Sequence, residues 1–227
     1  MENRQLGKLF ENDWSEDELE EIYEDITTAV TIPVNVAIKG EHKVLDLSKV
    51  MSLLKDAELI AISDCGCRRD RKNCDAPVDV CISLDEEAKA MLKDRRYNSR
   101  IATLQEAIDA LRRSHEAGLV HMAYVMKGDD QPTVICSCCS CCCHTLSGLI
   151  RFGIAKHIVT ADLISETDFT LCVNCGACIE RCQFGARKMI DGRLTYNSEQ
   201  CFGCGLCVST CPQGAIKLGE RDLNEHV

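Results

Sequence analysis

The chain has 227 residues, 18 of them cysteines, and a formal net charge of −10. Residues 1–64 carry 15 acidic and six basic side chains, which argues against nucleic acid or an anionic membrane as a partner. No apolar run approaches the roughly 20 residues that a membrane-spanning helix needs, and the first residues lack an export signal. We therefore expect a cytoplasmic protein without membrane insertion, whose cysteines serve metal binding or catalysis before disulfides.

The acidic segment 11–25 is the first predicted element. Ser15 and Glu18 form a capping-box pattern, which predicts the start of a helix. Apolar residues follow at helical spacing: Leu19, Ile22, Tyr23 and Ile26. This pattern is typical of an amphipathic helix with one buried stripe, and a docking surface for a basic partner is the alternative.

Two strands and a helix are predicted after this first helix. Residues 32–38 alternate apolar and polar side chains like a strand (Ile32, Val34, Val36, Ile38), with a turn at Gly40–Glu41. Residues 47–56 favour a helix, and residues 58–62 favour a buried strand that leads into Cys65.

The middle of the chain predicts a helix and a hairpin. Thr103 and Glu106 form a second capping box, and the helix would end before Gly118. Residues 119–126 and 133–136 read as paired strands around a polar turn. These patterns predict that residues 1–160 form one α+β domain, which carries cysteine-rich segments at 65–81 and 136–143. We expect His115, late in the helix, and His121, in a strand, to have structural roles.

The C-terminal third contains an internal repeat. Residues 171–189 align with residues 200–218 at an offset of 29, and each copy reads C-x2-C-x2-C-x3-C. Thiolates are soft ligands suited to iron–sulfur clusters, and three cysteines at this spacing can wrap one face of a cubane. A pair of zinc sites is the alternative, but four ligands satisfy zinc and a third evenly spaced cysteine would be surplus.

The fourth cysteine of each copy cannot easily reach the cluster of its own copy, because a helix intervenes. In two-cluster ferredoxins that cysteine binds the other cluster. The predicted ligand sets are Cys172, Cys175, Cys178 with Cys211, and Cys201, Cys204, Cys207 with Cys182. Gly176, Gly203 and Gly205 would let the backbone approach the sulfides.

Residues 168–220 resemble a bacterial-type two-cluster [4Fe–4S] ferredoxin domain, including Pro212 directly after the last ligand. Gln183 stands where such domains often have proline, but the ligand pattern is intact. The resemblance implies a small pseudo-symmetric domain that transfers single electrons between two cubanes, followed by a polar tail at 221–227. The predicted fold class is thus α+β throughout, with this domain at the C-terminus.

Ten cysteines lie upstream of the repeat. One group contains Cys65, Cys67, Cys74 and Cys81, and the other contains Cys136, Cys138, Cys139, Cys141, Cys142 and Cys143. The chain resembles a family of bacterial and archaeal dicluster ferredoxin-domain proteins with C-x-C-R…N-C-x2-P-x3-C and C-x-C-C-x-C-C-C segments. Residues 65–81, with Arg68, Asn73 and Pro77, match the first segment, and residues 136–143 match the second.

Four interpretations of the upstream cysteines remain. They could hold one or two further iron–sulfur clusters, which the soft donors and the downstream domain favour. They could bind zinc or copper with His144 as a nitrogen ligand, form a thiol/disulfide centre, or hand a cluster to a client. The cations of Arg68, Arg69, Arg71 and Lys72 would balance an anionic cluster.

We expect an electron carrier, or an electron-transfer subunit of a larger oxidoreductase complex, that serves redox partner proteins under anaerobic conditions. No catalytic residue is assigned on this chain. One alternative is a redox enzyme whose upstream cysteines hold a substrate-binding cluster or a redox-active thiol pair. The other is a cluster-based sensor or a metallocentre maturation factor.

Overall fold

The computed structural model describes residues 9–32, 35–39, 42–46, 48–154, 158–159 and 161–221. Backbone contacts divide the chain into two units. The first comprises residues 1–30 and 48–159, and the second comprises residues 31–47 and 160–227. The sequence places residues 31–47 in the predicted domain at 1–160, whereas they belong to the second unit. That unit also resumes at residue 160, ahead of the predicted start of the ferredoxin domain at 168.

Helices and strands are interspersed along the described residues. The helices are α1 (Glu16–Tyr23), α2 (Ser48–Asp56), α3 (Gly66–Arg71), α4 (Asp85–Lys93), α5 (Leu104–Glu116), α6 (His144–Phe152), α7 (Ala177–Glu180) and α8 (Leu206–Thr210). The strands are β1 (Ile26–Thr31), β2 (Asn35–Lys39), β3 (His42–Asp46), β4 (Ile60–Asp64), β5 (Asp79–Leu84), β6 (Arg100–Ile101), β7 (Val120–Met126), β8 (Val134–Cys138), β9 (Ile158–Val159), β10 (Leu163–Thr167), β11 (Arg187–Ile190), β12 (Arg193–Tyr196) and β13 (Ile216–Glu220). This mixture of helix and strand confirms the predicted α+β class.

A seven-stranded sheet is the framework of the first unit, in the order β6-β4-β5-β8-β7-β1-β9. From β6 to β7 each neighbouring pair is antiparallel, while β1 and β9 are parallel. The predicted hairpin is confirmed, because β7 pairs with β8 from Val120–Cys138 to Tyr124–Val134. Helix α5 packs against β5 and β7, and it buries Ala107 and Leu111 as its amphipathic pattern requires.

Both predicted capping boxes are confirmed. Ser15 accepts a hydrogen bond from the Glu18 amide at 3.3 Å, and Glu18 accepts one from the Ser15 amide at 2.8 Å. Thr103 and Glu106 make the same pair of bonds at the start of α5. The proposed continuation of the first stripe to Ile26 is wrong, because α1 ends at Tyr23 and Ile26 begins β1. The β-branched run that follows favours a strand.

The prediction for residues 32–38 is only partly correct. The structure has β2 and β3 as an antiparallel pair from Asn35–Asp46 to Lys39–His42, whereas Ile32 precedes the strand. Val34 and the predicted turn at Gly40–Glu41 lie outside the described residues. The predicted elements at 47–56 and 58–62 correspond to α2 and β4, and Leu47 lies outside the described residues.

The second unit shows the repeat in its backbone. Helices α7 and α8 begin at Ala177 and Leu206, and strands β11 and β13 begin at Arg187 and Ile216. Both pairs of starting positions are 29 residues apart, which is the offset of the sequence repeat. The strands form three two-stranded sheets, β10-β13, β11-β12 and β2-β3.

Across the described part of the chain, none of the helices has the length and hydrophobicity that crossing a membrane requires.

Candidate metal centres

All eighteen cysteines are free thiols, and the sheet explains why the ten upstream ones meet. Strands β4, β5 and β8 are neighbours. Cys65 follows β4, Cys81 lies in β5, and Cys136 and Cys138 lie in β8. Ile82 of β5 pairs with Ile135 of β8, so the sheet register brings Cys81 beside Cys136, and their thiols interact. The two segments that are far apart in sequence therefore converge at adjacent strands.

Four of these thiols form one compact group, which we call the four-thiol group: Cys74, Cys139, Cys141 and Cys142. All four sulfur atoms lie within 4.8 Å of one another. Cys74 Sγ lies 3.8 Å from Cys139 Sγ and 3.9 Å from Cys142 Sγ, and Cys141 Sγ lies 3.8 Å from Cys142 Sγ. These separations are far longer than a disulfide bond of about 2.05 Å.

The other six upstream thiols form a ring, which we call the six-thiol group: Cys65, Cys67, Cys143, Cys138, Cys136 and Cys81. Each thiol interacts with the next in this order, and Cys81 interacts with Cys65 to close the ring. The sequence grouped the cysteines by segment, whereas the structure regroups them. Each spatial group takes members from both segments.

Aromatic side chains border the six-thiol group. The Tyr124 hydroxyl lies 3.7 Å from Cys138 Sγ and donates a hydrogen bond to Thr145 at 3.0 Å. The His144 ring packs near the rings of Trp14, Tyr23 and Tyr124, at centroid distances of 6.1, 6.2 and 6.3 Å. Its Nδ1 atom lies 3.1 Å from the Thr145 hydroxyl. The sequence suggests His144 as a nitrogen ligand for zinc or copper beside the upstream cysteines, but among the described residues it is not a member of the compact four-thiol group.

Arg68 is a buried cation that lies beside the four-thiol group and interacts electrostatically with the six-thiol group. Its side chain is only 2 % exposed, and its Nη1 donates to the Ser137 carbonyl at 2.7 Å and lies 3.9 Å from Cys139 Sγ. Burial alone would lower the pKa of Arg68, but the thiolates of Cys65, Cys139 and Cys81 raise it above its ordinary value. Hydrogen bonds from neighbouring thiols, together with this guanidinium, lower the pKa of Cys65 and of Cys139. The thiolate form is thus favoured at these two positions, whereas hydrogen bonds with neighbouring thiols and burial raise the pKa of Cys67, Cys138 and Cys141.

The loop at 139–143 is held by side chains outside the thiol groups. Asn73 Nδ2 donates to the Cys141 carbonyl at 2.9 Å, and Trp14 Nε1 donates to the Cys142 carbonyl at 2.8 Å. Arg151 donates to the Ser140 carbonyl. Arg151 also forms a fully buried ion pair with Asp13 at 2.5 Å, and the hydrogen bonds that Asp13 accepts from Arg151, Leu9 and Trp14 outweigh burial and lower the pKa of its carboxyl. These contacts fix the loop that carries three of the four compact thiols.

The downstream cysteines line two cavities, and each cavity takes its fourth cysteine from the other repeat. The first, with about 330 Å³ of open space including its mouth, is lined by Cys172, Cys175, Cys178 and Cys211. The second, of about 310 Å³, is lined by Cys182, Cys201, Cys204 and Cys207. The donor sets of both cavities fit thiolate-bound clusters, for which these eight cysteines would be the ligands.

Two of the predicted glycines have clear backbone reasons. Gly203 has a φ of +74°, and a Cβ atom there would stand 2.1 Å from the Leu163 carbonyl oxygen, so only glycine fits. Gly176 has a φ of +81° and precedes α7. Gly176 lines the first cavity, whereas the close approach at Gly203 is to the Leu163 carbonyl. The expected approach of these glycines to cluster sulfides stays a prediction.

Arg187 was not recognised from the sequence. Its side chain is 2 % exposed and donates hydrogen bonds to Thr167 Oγ1 at 2.8 Å and Ser165 Oγ at 2.9 Å. Burial would lower the pKa of Arg187, but the thiolates of Cys207 and Cys178 raise it. Those two cysteines line different cavities, so one buried cation interacts with thiolates of both ligand sets. Ser165 was also missed, and its hydroxyl lies 3.4 Å from Cys201 Sγ.

Residues 165–218 match the family model of the 4Fe-4S dicluster domain. The match covers less than half of the chain and includes all eight cysteines of the repeat. The C-terminal region is therefore a dicluster ferredoxin domain. No curated protein sequence matches the chain significantly.

Proposed function

We propose that this protein transfers single electrons between redox partner proteins. The observation that carries the proposal is the pair of cavities in the ferredoxin domain, each lined by four cysteines with the fourth from the other repeat. Two [4Fe–4S] clusters bound there supply one-electron chemistry over a wide range of potentials, roughly −700 to +450 mV. The chain's own residues set the charge and hydrogen bonding around them.

Arg187 and Ser165 perform that tuning in our proposal. A buried guanidinium beside Cys178 and Cys207 favours the more negative, reduced state of whatever those thiolates bind. The Ser165 hydroxyl accepts its hydrogen bond from Arg187, which leaves its own proton free to donate to Cys201. Both contacts stabilise negative charge on the sulfurs and so raise the potential at these sites.

We propose that partners approach the first cavity. Cys175 is exposed, whereas Cys201 and Cys207 in the second set are buried. Exposed apolar side chains come from the same part of the domain: Phe169, Leu171, Val173, Met189 and Ile190. The Met189 methyl lies 3.6 Å from where a Cβ at Gly176 would be, directly beside Cys175. An apolar rim at an exposed ligand suits the transient docking of another redox protein, free or within an oxidoreductase complex.

The six-thiol group holds at least one further iron–sulfur cluster in this proposal. Six donors exceed the four that a single tetrahedral ion accepts, and among the described residues no three of these thiols lie mutually within 4.8 Å, as ligands of one ion would. Arg68 would offset the negative charge of such a cluster. The protein would then carry redox centres in both of its units, as expected for a cytoplasmic electron carrier.

The test is anaerobic purification with iron and acid-labile sulfide counted per chain. We expect about twelve irons, of which eight belong to the ferredoxin domain, and paramagnetic resonance signals after chemical reduction. The reduced protein should also pass electrons to an acceptor dye in repeated cycles. About eight irons would remove the cluster from the six-thiol group, and a colourless protein without such signals would overturn the electron-transfer function.

A redox enzyme is the second candidate. The observation that favours it is the surplus of donors, because a cubane uses four thiols and the six-thiol group offers six. Two thiols would then be free for redox chemistry with a substrate. A substrate-dependent spectral change at the six-thiol group would support this function, and a cluster ligated by thiolates at every iron would count against it.

A further inference from the structure

The sulfur atoms of the four-thiol group lie closer together than those of the other cysteine sets in the described residues. Among the described residues it is the one group of three or more His, Cys, Asp or Glu side chains whose donor atoms all lie within 4.8 Å of one another. The three sulfur–sulfur distances of 3.8, 3.9 and 3.8 Å define its size. The remaining pairs among the four thiols also interact directly. Three of the six sulfur pairs therefore lie 3.8 or 3.9 Å apart, and the other three lie within 4.8 Å.

This size matches a single metal ion. A zinc–thiolate bond is about 2.3 Å, and four such bonds in a tetrahedron place the sulfurs about 3.8 Å apart. In a cubane each cysteine binds a different iron, so the iron–iron edge adds to the separation of the sulfurs. The eight cysteines of the ferredoxin domain provide the internal comparison, because no three of them lie mutually within 4.8 Å in the described residues.

We propose that Cys74, Cys139, Cys141 and Cys142 bind one tetrahedral metal ion of the zinc class, and not an iron–sulfur cluster. The proposal does not depend on the electron-transfer function, since a single-ion site with four protein ligands is closed to substrate and needs no redox chemistry.

The surroundings of the group suit a closed structural site. Cys139 and Cys142 are buried, and Cys74 and Cys141 are half-buried. Four thiolates around a divalent ion leave a net charge of −2, and the buried Arg68 guanidinium lies 3.9 Å from Cys139 Sγ. The Asn73 backbone amide donates to the Cys142 thiolate, while the Asn73 side chain holds the Cys141 carbonyl at 2.9 Å. Such outer contacts orient metal ligands and stabilise their deprotonated state.

The ion would also connect distant parts of the chain. Cys74 follows α3, whereas the other three cysteines lie between β8 and α6. A bound ion closes the loop between them and stabilises the first unit, because the site does not exist in the unfolded chain. The six-thiol group shares the same two segments, so the ion would position its members as well.

The decisive experiment measures zinc and iron together in anaerobically purified full-length protein, grown with both metals. We expect about one zinc per chain, with an X-ray absorption spectrum showing four sulfur neighbours at about 2.3 Å. The variants Cys74→Ser and Cys141→Ser should lose at least about four-fifths of the zinc, while the iron of the ferredoxin domain stays unchanged. Its paramagnetic signals serve as an internal measure of correct folding.

Cys136→Ser is the matched control, since Cys136 lies in the six-thiol group. It should lower iron and leave zinc in place. One mononuclear iron that gives an isolated high-spin ferric signal, and that disappears in Cys141→Ser, would also support a single-ion site. Loss of about four irons in Cys141→Ser, with no zinc in the wild-type protein, would overturn the proposal. If both variants fail to fold, the X-ray absorption spectrum of the wild-type protein alone shows whether the four thiols bind a single ion. Failure of electron transfer would appear in the iron count and reduction assay, and not in these data.

Discussion

Each of the two cysteine-rich regions of this protein places a buried arginine beside negatively charged thiolates, although their sequences differ. In the ferredoxin domain, Arg187 interacts with Cys178 and Cys207, which line different cavities. In the first unit, Arg68 interacts with Cys65 and Cys81 of the six-thiol group and with Cys139 of the four-thiol group. Each arginine is 2 % exposed. Each region thus places one buried cation against two sets of thiolates.

The two regions differ in how they build their thiol sets. The ferredoxin domain repeats one short pattern and exchanges the fourth cysteine, so its sets follow from a sequence duplication. The upstream region has no repeat, and its sets arise because β4, β5 and β8 are neighbours in a sheet. A duplicated pattern can be recognised in a sequence, whereas a set built by sheet topology becomes visible only in the fold.

The largest expected effect tests the exchange of ligands. Cys211→Ala should remove about four irons, because one cubane loses a ligand. Adding Cys175→Ala should cost no further iron, since both residues line the first cavity, whereas adding Cys204→Ala should cost about four more. Iron analysis of the single and the two double variants measures this. If Cys175→Ala instead removed about four further irons and Cys204→Ala removed none, each repeat would bind its own cluster.

The next prediction compares the two arginines. Removing a buried charge from among its partners costs about 3 kcal/mol or more in the free energy of unfolding. Arg68→Leu should therefore destabilise the first unit and release upstream metal, while the ferredoxin signals persist. Arg187→Leu should destabilise the ferredoxin domain and release its iron, while the upstream metal stays bound. Metal content and thermal unfolding of each variant measure the effects.

Arg68→Lys and Arg187→Lys are the controls for charge alone. Lysine keeps the charge but lacks the planar fork that reaches two acceptors. We expect partial rescue of metal content in both cases. Equal loss of metal from both units in either leucine variant would contradict a local role for that arginine.

A pH effect is expected in the first unit. His121 is buried, its Nδ1 lies 3.1 Å from Ser137 Oγ, and its ring stacks on His115 at 6.3 Å. Burial, with a smaller contribution from His115, lowers the pKa of His121 to about 3. Because the unfolded chain binds this proton near pH 6.5, the folded state loses stability as the pH falls from there toward 3. The slope should be at most about 1.4 kcal/mol per pH unit.

Denaturant unfolding of the first unit between pH 7.5 and 5 measures that slope. His121→Gln should reduce it, while Gln131→Ala, which changes an exposed side chain that does not titrate, should leave it unchanged. An equally steep loss of stability in His121→Gln would show that other groups titrate instead. Because the Ser137 carbonyl accepts from Arg68, the histidine also supports the arginine that faces the thiols.

Much of the local structure could be predicted from the sequence. The two capping boxes and the β7–β8 hairpin follow from local rules, and the fourfold cysteine pattern identifies the ferredoxin domain. The α1 stripe was extended too far, to Ile26, because helical spacing there coincides with the start of a β-branched strand. Short-range patterns cannot decide between two elements that share a residue.

The upstream sites could be predicted only as a list of donors. Nothing in the spacing of residues 136–143 indicates that Cys138 and Cys139, which are adjacent in sequence, belong to different groups. That separation arises where β8 ends and the chain turns toward α6. Arg187 was missed for a related reason, because a single arginine in a strand is usually exposed and only the fold shows it buried.

The smallest expected effect concerns Ser165 and distinguishes tuning from structure. Ser165→Ala removes a hydroxyl that lies 3.4 Å from Cys201 Sγ and accepts a hydrogen bond from Arg187. Losing a hydrogen bond to a ligating sulfur destabilises the reduced state, so the potential of the second cluster should fall by tens of millivolts, given that about 59 mV corresponds to 1.4 kcal/mol for one electron. Thr167→Val is the matched control, because it removes a hydrogen bond to Arg187 at 2.8 Å without one to sulfur. Redox titration followed by paramagnetic resonance should show a larger shift for Ser165→Ala. Equal shifts in both variants would assign the effect to Arg187 and leave no separate role for the serine–cysteine contact.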